Sequence, residues 1–244
     1  MRIVTAVDEP ALVPAMRELG GSPWHEFLLH SRVMNRLFGR LYDMHPELQF
    51  AGLSDDDGSL LAVGNCVPVH WRDGLERLPD SGVEWAMIAG YETPGAGPAN
   101  LLSAVQIVVQ KSHLGSGLST PMVAAMREIA RRNGLSSLVA PVRPVWKARY
   151  PLVPMEQYVQ WTRADGHPYD PWMRVHTKLG ARILRVCHAS LTVEGTRDDW
   201  QSWTGLWLPE SGDYVVDGGL VPVRFDVAKN LGRYVEPNVW MLHP

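Results

Sequence analysis

The stretch "AVQIVVQKSHLGSGLSTPMVAAMREIARRNGLSSLVAPV", residues 104–142, constrains the fold of this chain more than any other. Ala104, Val105, Ile107, Val108 and Val109 make a short, β-rich run bounded by Ser103 and Lys111, which reads as a buried strand. Thr120 followed by Pro121 predicts an N-cap and a first helical turn. Met122, Val123, Met126, Ile129 and Ala130 then recur at helical spacing and give one apolar face. Arg131 and Arg132 crowd the last turn, where positive charge suits the helix dipole, and Gly134 supplies the residue that ends the helix. "LSSLVAPV" reads as a second strand. If the two strands are parallel, the unit is a right-handed crossover. Gly115-Ser116-Gly117 stands just ahead of the helix start, where backbone N–H groups lack intrahelical partners and the dipole favours an anion. Two glycines alone are more often a turn that needs positive φ, so the order of elements around them carries the argument. Position 120 is Thr, which excludes G-x-G-x-x-G, and no G-K-[ST] of a Walker loop occurs.

Composition sets the outer limits. A chain of 244 residues, 45% hydrophobic and 20% charged, can bury a full core as one large domain or two small ones. A formal net charge of −3 gives no basis for bulk affinity toward nucleic acid or an anionic membrane. Cys66 and Cys187 lie far apart in strand-like runs, which suits a reduced intracellular protein. "MRIVTAVDEPALV" has no apolar stretch of a signal peptide, and no apolar run approaches transmembrane length. The expectation is a soluble cytoplasmic protein. Most of the 10 tryptophans are expected in the core, because aromatic side chains have much area to bury.

Along the chain, "MRIVTAV" reads as a strand and "EPALVPAMREL" as a helix. Phe27, Leu28, Val33, Leu37, Phe38 and Leu41 predict a second helix within residues 21–47. "LQFAGLSDDDGSLLAVGNCVPVHW" reads as two strands joined by a hairpin at Asp57-Gly58. Residues 72–99, with Pro79, Pro94, Pro98 and several glycines, read as a long loop. Beyond the crossover unit come helix, loop, helix and a long strand from Arg182 to Glu194. "LVPVRFDV" and "YVEPNVWMLH" read as closing strands. The class is α/β with a mixed sheet.

That order of elements resembles the GNAT acyltransferase superfamily. The phrases "GSPWHEFLLH", "LGSGLS", "LVAPVRP", "DGHPYDPWMRVHTKLGARI", "WQSWTGL", "SGDYVVDGGLVPV" and "YVEPNVWMLH" are similar to a branch often found in actinobacteria, and they run from residue 21 to the end. The resemblance implies a GNAT fold: a central mixed sheet, flanked by helices, whose two parallel strands splay apart. It implies a single domain over 1–244, with an excursion at about 72–99 and a C-terminal extension of the sheet. Acetyl-CoA, another acyl-CoA or a carrier-bound acyl-pantetheine would lie in the gap between the strands at 104–109 and 135–141, against Ile107, Val108 and Val109. Its pyrophosphate would meet the backbone of Leu114, Gly115, Ser116, Gly117, Leu118 and Ser119. The chain departs from the superfamily pattern in carrying Ser112 three residues before the first glycine and Ser116 between the glycines, so charge-assisted phosphate contacts are fewer.

For the chemistry, the resemblance implies an acid for the leaving thiolate, and Tyr150 after the second splayed strand is the nearest match, with Tyr158 behind it. A tyrosine capping a buried polar group explains the same position equally well. Asp170 and Pro171 predict a helix start that places Met173, His176 and Leu179 on one face. Imidazole moves protons near neutrality, so His176 is the candidate histidine, with a satisfied core imidazole as its rival. The similarity extends to GNAT-like loading domains of polyketide synthases, which implies roles for His176 and for Trp24 of "SPWHEF". The leading expectation is acyl transfer to an amine of a small molecule or peptide. Decarboxylation of a malonyl thioester, on a small-molecule or carrier-protein-bound substrate, is the alternative, and non-catalytic acyl-CoA binding is the third. No H-E-x-x-H and no C-x-x-C occurs, so no metal is expected, and Asp55-Asp56-Asp57 reads as a solvated hairpin tip. Neither a nucleic-acid nor a membrane partner is expected; the oligomeric state is not legible.

Overall fold

A computed structural model describes residues 1–92 and 97–243. Its strands are β1 (Arg2–Thr5), β2 (Phe50–Leu53), β3 (Leu60–Val69), β4 (Leu101–Val109), β5 (Ser137–Val142), β6 (Arg182–Gly195), β7 (Gly212–Tyr214), β8 (Val223–Asp226) and β9 (Leu231–His243). They form one nine-stranded sheet in the order β1-β2-β3-β4-β5-β9-β8-β7, with β6 on the other edge of β9. The hairpin at Asp57-Gly58 is present, with Gly58 at φ +72 and the Ser59 N–H donating to Asp57 Oδ1 at 3.0 Å. β4 and β5 are parallel; the other pairings are antiparallel.

The α-helices are α1 (Val13–Gly21), α2 (Arg32–Leu37), α3 (Leu41–Met44), α4 (Gly82–Glu92), α5 (Ser119–Arg132), α6 (Met155–Tyr158), α7 (Pro171–Lys178) and α8 (Arg197–Thr204). Helix α5 buries Met122, Val123, Met126, Ile129 and Ala130, the face its spacing predicts. The expected Thr120 cap is corrected: Leu118 is the N-cap and makes no side-chain bond, while Thr120 lies inside the first turn. Gly134 stands at φ +70 beyond the C-cap, as a left-handed helix end requires. Asp170 does cap α7, accepting from the N–H groups of Trp172 (2.9 Å) and Met173 (3.2 Å).

Two readings fail. The single helix expected within 21–47 is broken into α2, α3 and 3₁₀ turns at Glu26–His30, Phe38–Arg40 and Pro46–Leu48. Gly39 and Pro46 interrupt it, and the apolar residues serve two different cores. Phe27 and Leu28 pack with Trp200 and Tyr234, whereas Leu37 and Leu41 pack with Met16 and Val63. The long loop expected over 72–99 instead contains α4, with Val83, Ala86 and Met87 buried. This helix is apolar on nearly all sides, so it shows no amphipathic stripe, and its flanking glycines and prolines look like loop. Pro94 lies outside the described residues.

Midway along β3 and β4 the register shifts between Asn65 and Cys66, leaving Val105 as a bulge opposite. Next to it, the Gln49 side chain pairs the β3 backbone beyond the end of the β2 ladder. Its Nε2 donates to the Cys66 carbonyl at 3.0 Å, and its Oε1 accepts from the Cys66 N–H at 3.2 Å and from Asn65 Nδ2 at 3.0 Å. Cys66 and Cys187 are buried and free, and burial pushes both thiols up, Cys187 to about 12. Gln49→Ala is expected to strand these buried groups and lower unfolding free energy by about 2–4 kcal/mol, read by denaturant titration.

Candidate active site

β4 and β5 pair only at Leu101↔Ser137, Leu102↔Leu138 and Ser103↔Val139. Beyond that point β4 stays with β3 and β5 turns away with β9, whose register continues to Val142↔Val239. Pro141, which has no N–H to give a ladder, sits just past the split. The result is a cleft of about 680 Å³ walled by Ala104–Val109 on one side and Ala140–Arg143 on the other. Ile107, Val108 and Val109 line it, and backbone groups on the edge of β4 beyond Ser103 are open to an extended ligand.

The glycine loop lies at the mouth, where Leu114 and Ser119 line the cleft. Gly115 and Gly117 have φ of +81 and +85, and a Cβ on either would meet nothing within 4 Å. Their need for glycine is therefore conformational, and it leaves the loop surface bare. The Ser116 N–H donates to the His113 carbonyl, which takes it out of the donor set. The N–H groups of Gly115, Gly117, Leu118 and Ser119 make no hydrogen bond to a described residue. They stand at the N-terminus of a 14-residue helix, an arrangement suited to a pyrophosphate.

Deeper in the cleft, a polar chain runs from the bulge to Trp24. Gln106 Nε2 donates to Asn65 Oδ1 (3.0 Å) and to the Gly20 carbonyl (3.2 Å); the Trp24 indole N–H donates to Gln106 Oε1 (3.2 Å) and to the Gly20 carbonyl (3.0 Å). Over the Trp24 ring, at 6.0 Å, lies Arg143. Its Nε donates to both carboxylate oxygens of buried Glu236 at 3.0 Å, and Nη2 donates to the Gly218 carbonyl at 2.6 Å. The Tyr234 hydroxyl donates to Glu236 Oε2 at 2.6 Å. Turned so that its oxygen accepts from Ser190 Oγ at 2.9 Å, the Asn238 amide donates to Glu236 Oε1 at 3.3 Å. Glu236 is thus held by several donors and pairs with Arg143.

His176 also lines the cleft and is 3% exposed, with Trp172 edge-on at 4.4 Å. Its Nδ1 shares a hydrogen bond of 2.8 Å with Nε2 of buried His243. Burial, helped by His243, pushes His176 down to about 3; burial and the nearby Arg127 charge push His243 down to about 4. Both imidazoles are neutral at physiological pH.

Trp24 and His176 are therefore brought together with the β4 edge and the loop, but Tyr150 is not. It lies outside the cleft walls, its hydroxyl 2.9 Å from that of Tyr169 and its ring in a cluster with Tyr158 and Trp161. The 3₁₀ turn Lys147–Arg149 after β5 swings it away, because the buried Lys147 ammonium is tied to the Tyr150 and Leu220 carbonyls. Tyr158 donates to Asp170 Oδ2 at 3.0 Å and is structural. Gln106, Arg143, Glu236 and His243 went unread in the sequence. Arg143 and Glu236 come together because β9 is uncovered between β5 and β8, a gap that only strand order reveals.

An arginine N-acetyltransferase from Aspergillus versicolor is 34% identical over 251 aligned residues, which cover 91% of this chain and 86% of that protein. The chain belongs to the GNAT acyltransferase superfamily. No family model matches it. Among solved structures, the GNAT fold is shared with the loading GNATL domain of CurA from Lyngbya majuscula (15% identity, 99% of this chain and 96% of that one, TM-score 0.60). It is shared also with the GphF GNAT-like decarboxylase in complex with isobutyryl-CoA (17%, 100% and 98%, TM-score 0.60).

Two outcomes check this GNAT site. Gly117→Val places a β-branched residue where φ is +85, and is expected to weaken acyl-CoA binding by about tenfold or more in calorimetry while the fold persists. Between pH 6.5 and about 4 the unfolded chain binds protons that the buried imidazoles refuse, so stability is present above 6.5 and lost on acidification. Denaturant midpoints are expected to begin falling near pH 6.5, and a His176→Gln/His243→Gln double variant to lose that early decline.

Proposed function

We propose that this GNAT protein transfers an acyl group from acyl-coenzyme A to the amine of a small molecule, with arginine or a similar cationic amino acid as acceptor. The observation that carries the reading is the parting of β4 and β5 with the bare glycine loop at its mouth. It offers a groove for pantetheine and a cradle for pyrophosphate in one line. The free amine attacks the thioester carbonyl, the C–N bond forms, the C–S bond breaks, and the proton lost from nitrogen ends on the thiol. Free N–H groups of the β4 edge polarise the carbonyl. Trp24, held by Gln106 and the Gly20 carbonyl, walls the acyl end together with Trp172, and His176 handles the proton.

The arginine relative motivates the choice of acceptor, and the rim supports it. His25 lines the cleft, and the carboxylate of Asp217, 99% exposed, stands 3.7 Å from its Nδ1. An acceptor with a second positive charge finds a counter-ion there. Arg143 is already paired with Glu236, which leaves it less available to a malonyl carboxylate.

Mass spectrometry after incubation with acetyl-CoA and arginine is expected to show a mono-acetylated amine and free coenzyme A. Carbon dioxide from malonyl-CoA without an acceptor, or binding with no turnover, would reject the reading. Tyr150→Phe is expected to keep turnover within about twofold of wild type, whereas His176→Ala lowers it by about a hundredfold with acyl-CoA affinity retained. Asp217→Asn is expected to raise KM for arginine several-fold with little change in kcat.

A further inference from the structure

The two histidines occupy a wall between two cavities. His176 lines the acyl cleft, and His243 lines a separate groove of about 420 Å³ formed by α5 and the start of β5, with Arg127, Glu128, Arg131 and Ser136. The inner nitrogens share one hydrogen bond of 2.8 Å. The outer nitrogens, His176 Nε2 and His243 Nδ1, are both buried and have no hydrogen-bond partner among the described residues. Buried polar atoms without partners are uncommon and ask for an explanation. Here two of them sit at opposite ends of one hydrogen-bonded pair.

Counting hydrogens makes the arrangement directional. Two neutral imidazoles carry two N–H groups, and one is used in the shared bond. So one outer nitrogen carries a hydrogen and the other is a bare lone pair. When His176 Nδ1 donates inward, His176 Nε2 is a base toward the cleft and His243 Nδ1 carries the outer hydrogen. When the shared hydrogen moves across, the two ends exchange roles.

The geometry points to a neutral proton relay, in which His176 exchanges protons with the reacting groups and His243 connects it to the groove beneath α5. The inference rests on acyl transfer taking place in the cleft. As the amine adds to the thioester, the tetrahedral adduct gives its N–H proton to His176 Nε2, the Nδ1 hydrogen passes to His243 Nε2, and His243 Nδ1 releases its hydrogen to a water admitted from the groove as the wall around it opens. When the C–S bond breaks, the sulfur takes the hydrogen now on His176 Nε2. The shared hydrogen returns and His243 Nδ1 regains one from the groove. Charge and protons balance, and the pair ends as it began. Neither ring need become an imidazolium, a form that burial and the Arg127 charge both disfavour. A lone buried imidazole would have to hold that charge in mid-reaction.

His243 is a positioning residue in this scheme, since it acts through His176. Gln in its place keeps a polar atom near Nε2 and can still hydrogen-bond His176, but an amide does not hand a proton on. Single-turnover acyl transfer by His243→Gln, with arginine and acetyl-CoA, is expected to fall about ten- to a hundredfold. Acetyl-CoA affinity should not change, and added imidazole in the groove should restore part of the rate. In mixtures of H₂O and D₂O the wild-type rate should bow with deuterium content, since more than one proton moves, and the variant should give a straight line. A variant as fast as wild type, or a straight line for the wild type, overturns the relay and leaves acyl transfer standing. If His243→Gln does not fold, the wild-type line decides alone. Failure of the wild type to acylate arginine overturns the transfer reading and the relay with it.

Discussion

Two strands that start as hydrogen-bonded neighbours and then part set everything else in this molecule. A sheet that opens in its middle exposes backbone donors and acceptors that must be satisfied by something. Behind β4, Gln49 pairs the β3 backbone beyond the end of β2, and Asn65 passes the network on to Gln106. The β5 side is held by β9, and Pro141 has no N–H to leave unpaired. Beyond Ser103 the β4 edge that faced β5 is left open to a ligand. Trp24 is held by the same network through Gln106, so the shape of the cleft around Trp24 and the opening of the sheet are mechanically one feature.

The second constraint is the bare stretch of β9 between its contacts with β5 and β8. Glu236 lies there, nearly fully buried, and is tolerable only because Arg143, Tyr234 and Asn238 surround it. Arg143 in turn binds the Gly218 carbonyl. Gly218 packs so closely on His25 that a Cβ would come within 2.1 Å of the ring. The ion pair therefore fastens the 215–222 connection against His25, which lines the cleft.

The crossover unit was legible because local signals and tertiary role agree there: a β-rich run, a glycine loop, an amphipathic helix and a left-handed stop all serve one geometry. Helix α4 was not, since a helix buried on all sides loses the 3.6-residue stripe that betrays helices in sequence. The segment before β2 misled for the opposite reason, its apolar spacing being shared between two cores. Trp24 and His176, singled out through motifs, line the cleft, and Tyr150 does not, because spacing after β5 says nothing about the turn that Lys147 imposes. His243 could not be read at all: its significance lies in a 67-residue separation closed only by β9 pairing.

The buried cysteines have a practical side. Cys66 and Cys187 are both fully enclosed, and in both the thiolate is strongly disfavoured. Disulfide exchange proceeds through the thiolate and needs access to it, so the folded chain contributes next to nothing to a colorimetric thiol reagent. Every sulfhydryl such a reagent detects during turnover belongs to the coenzyme, and a rise in colour from the enzyme alone reports unfolding.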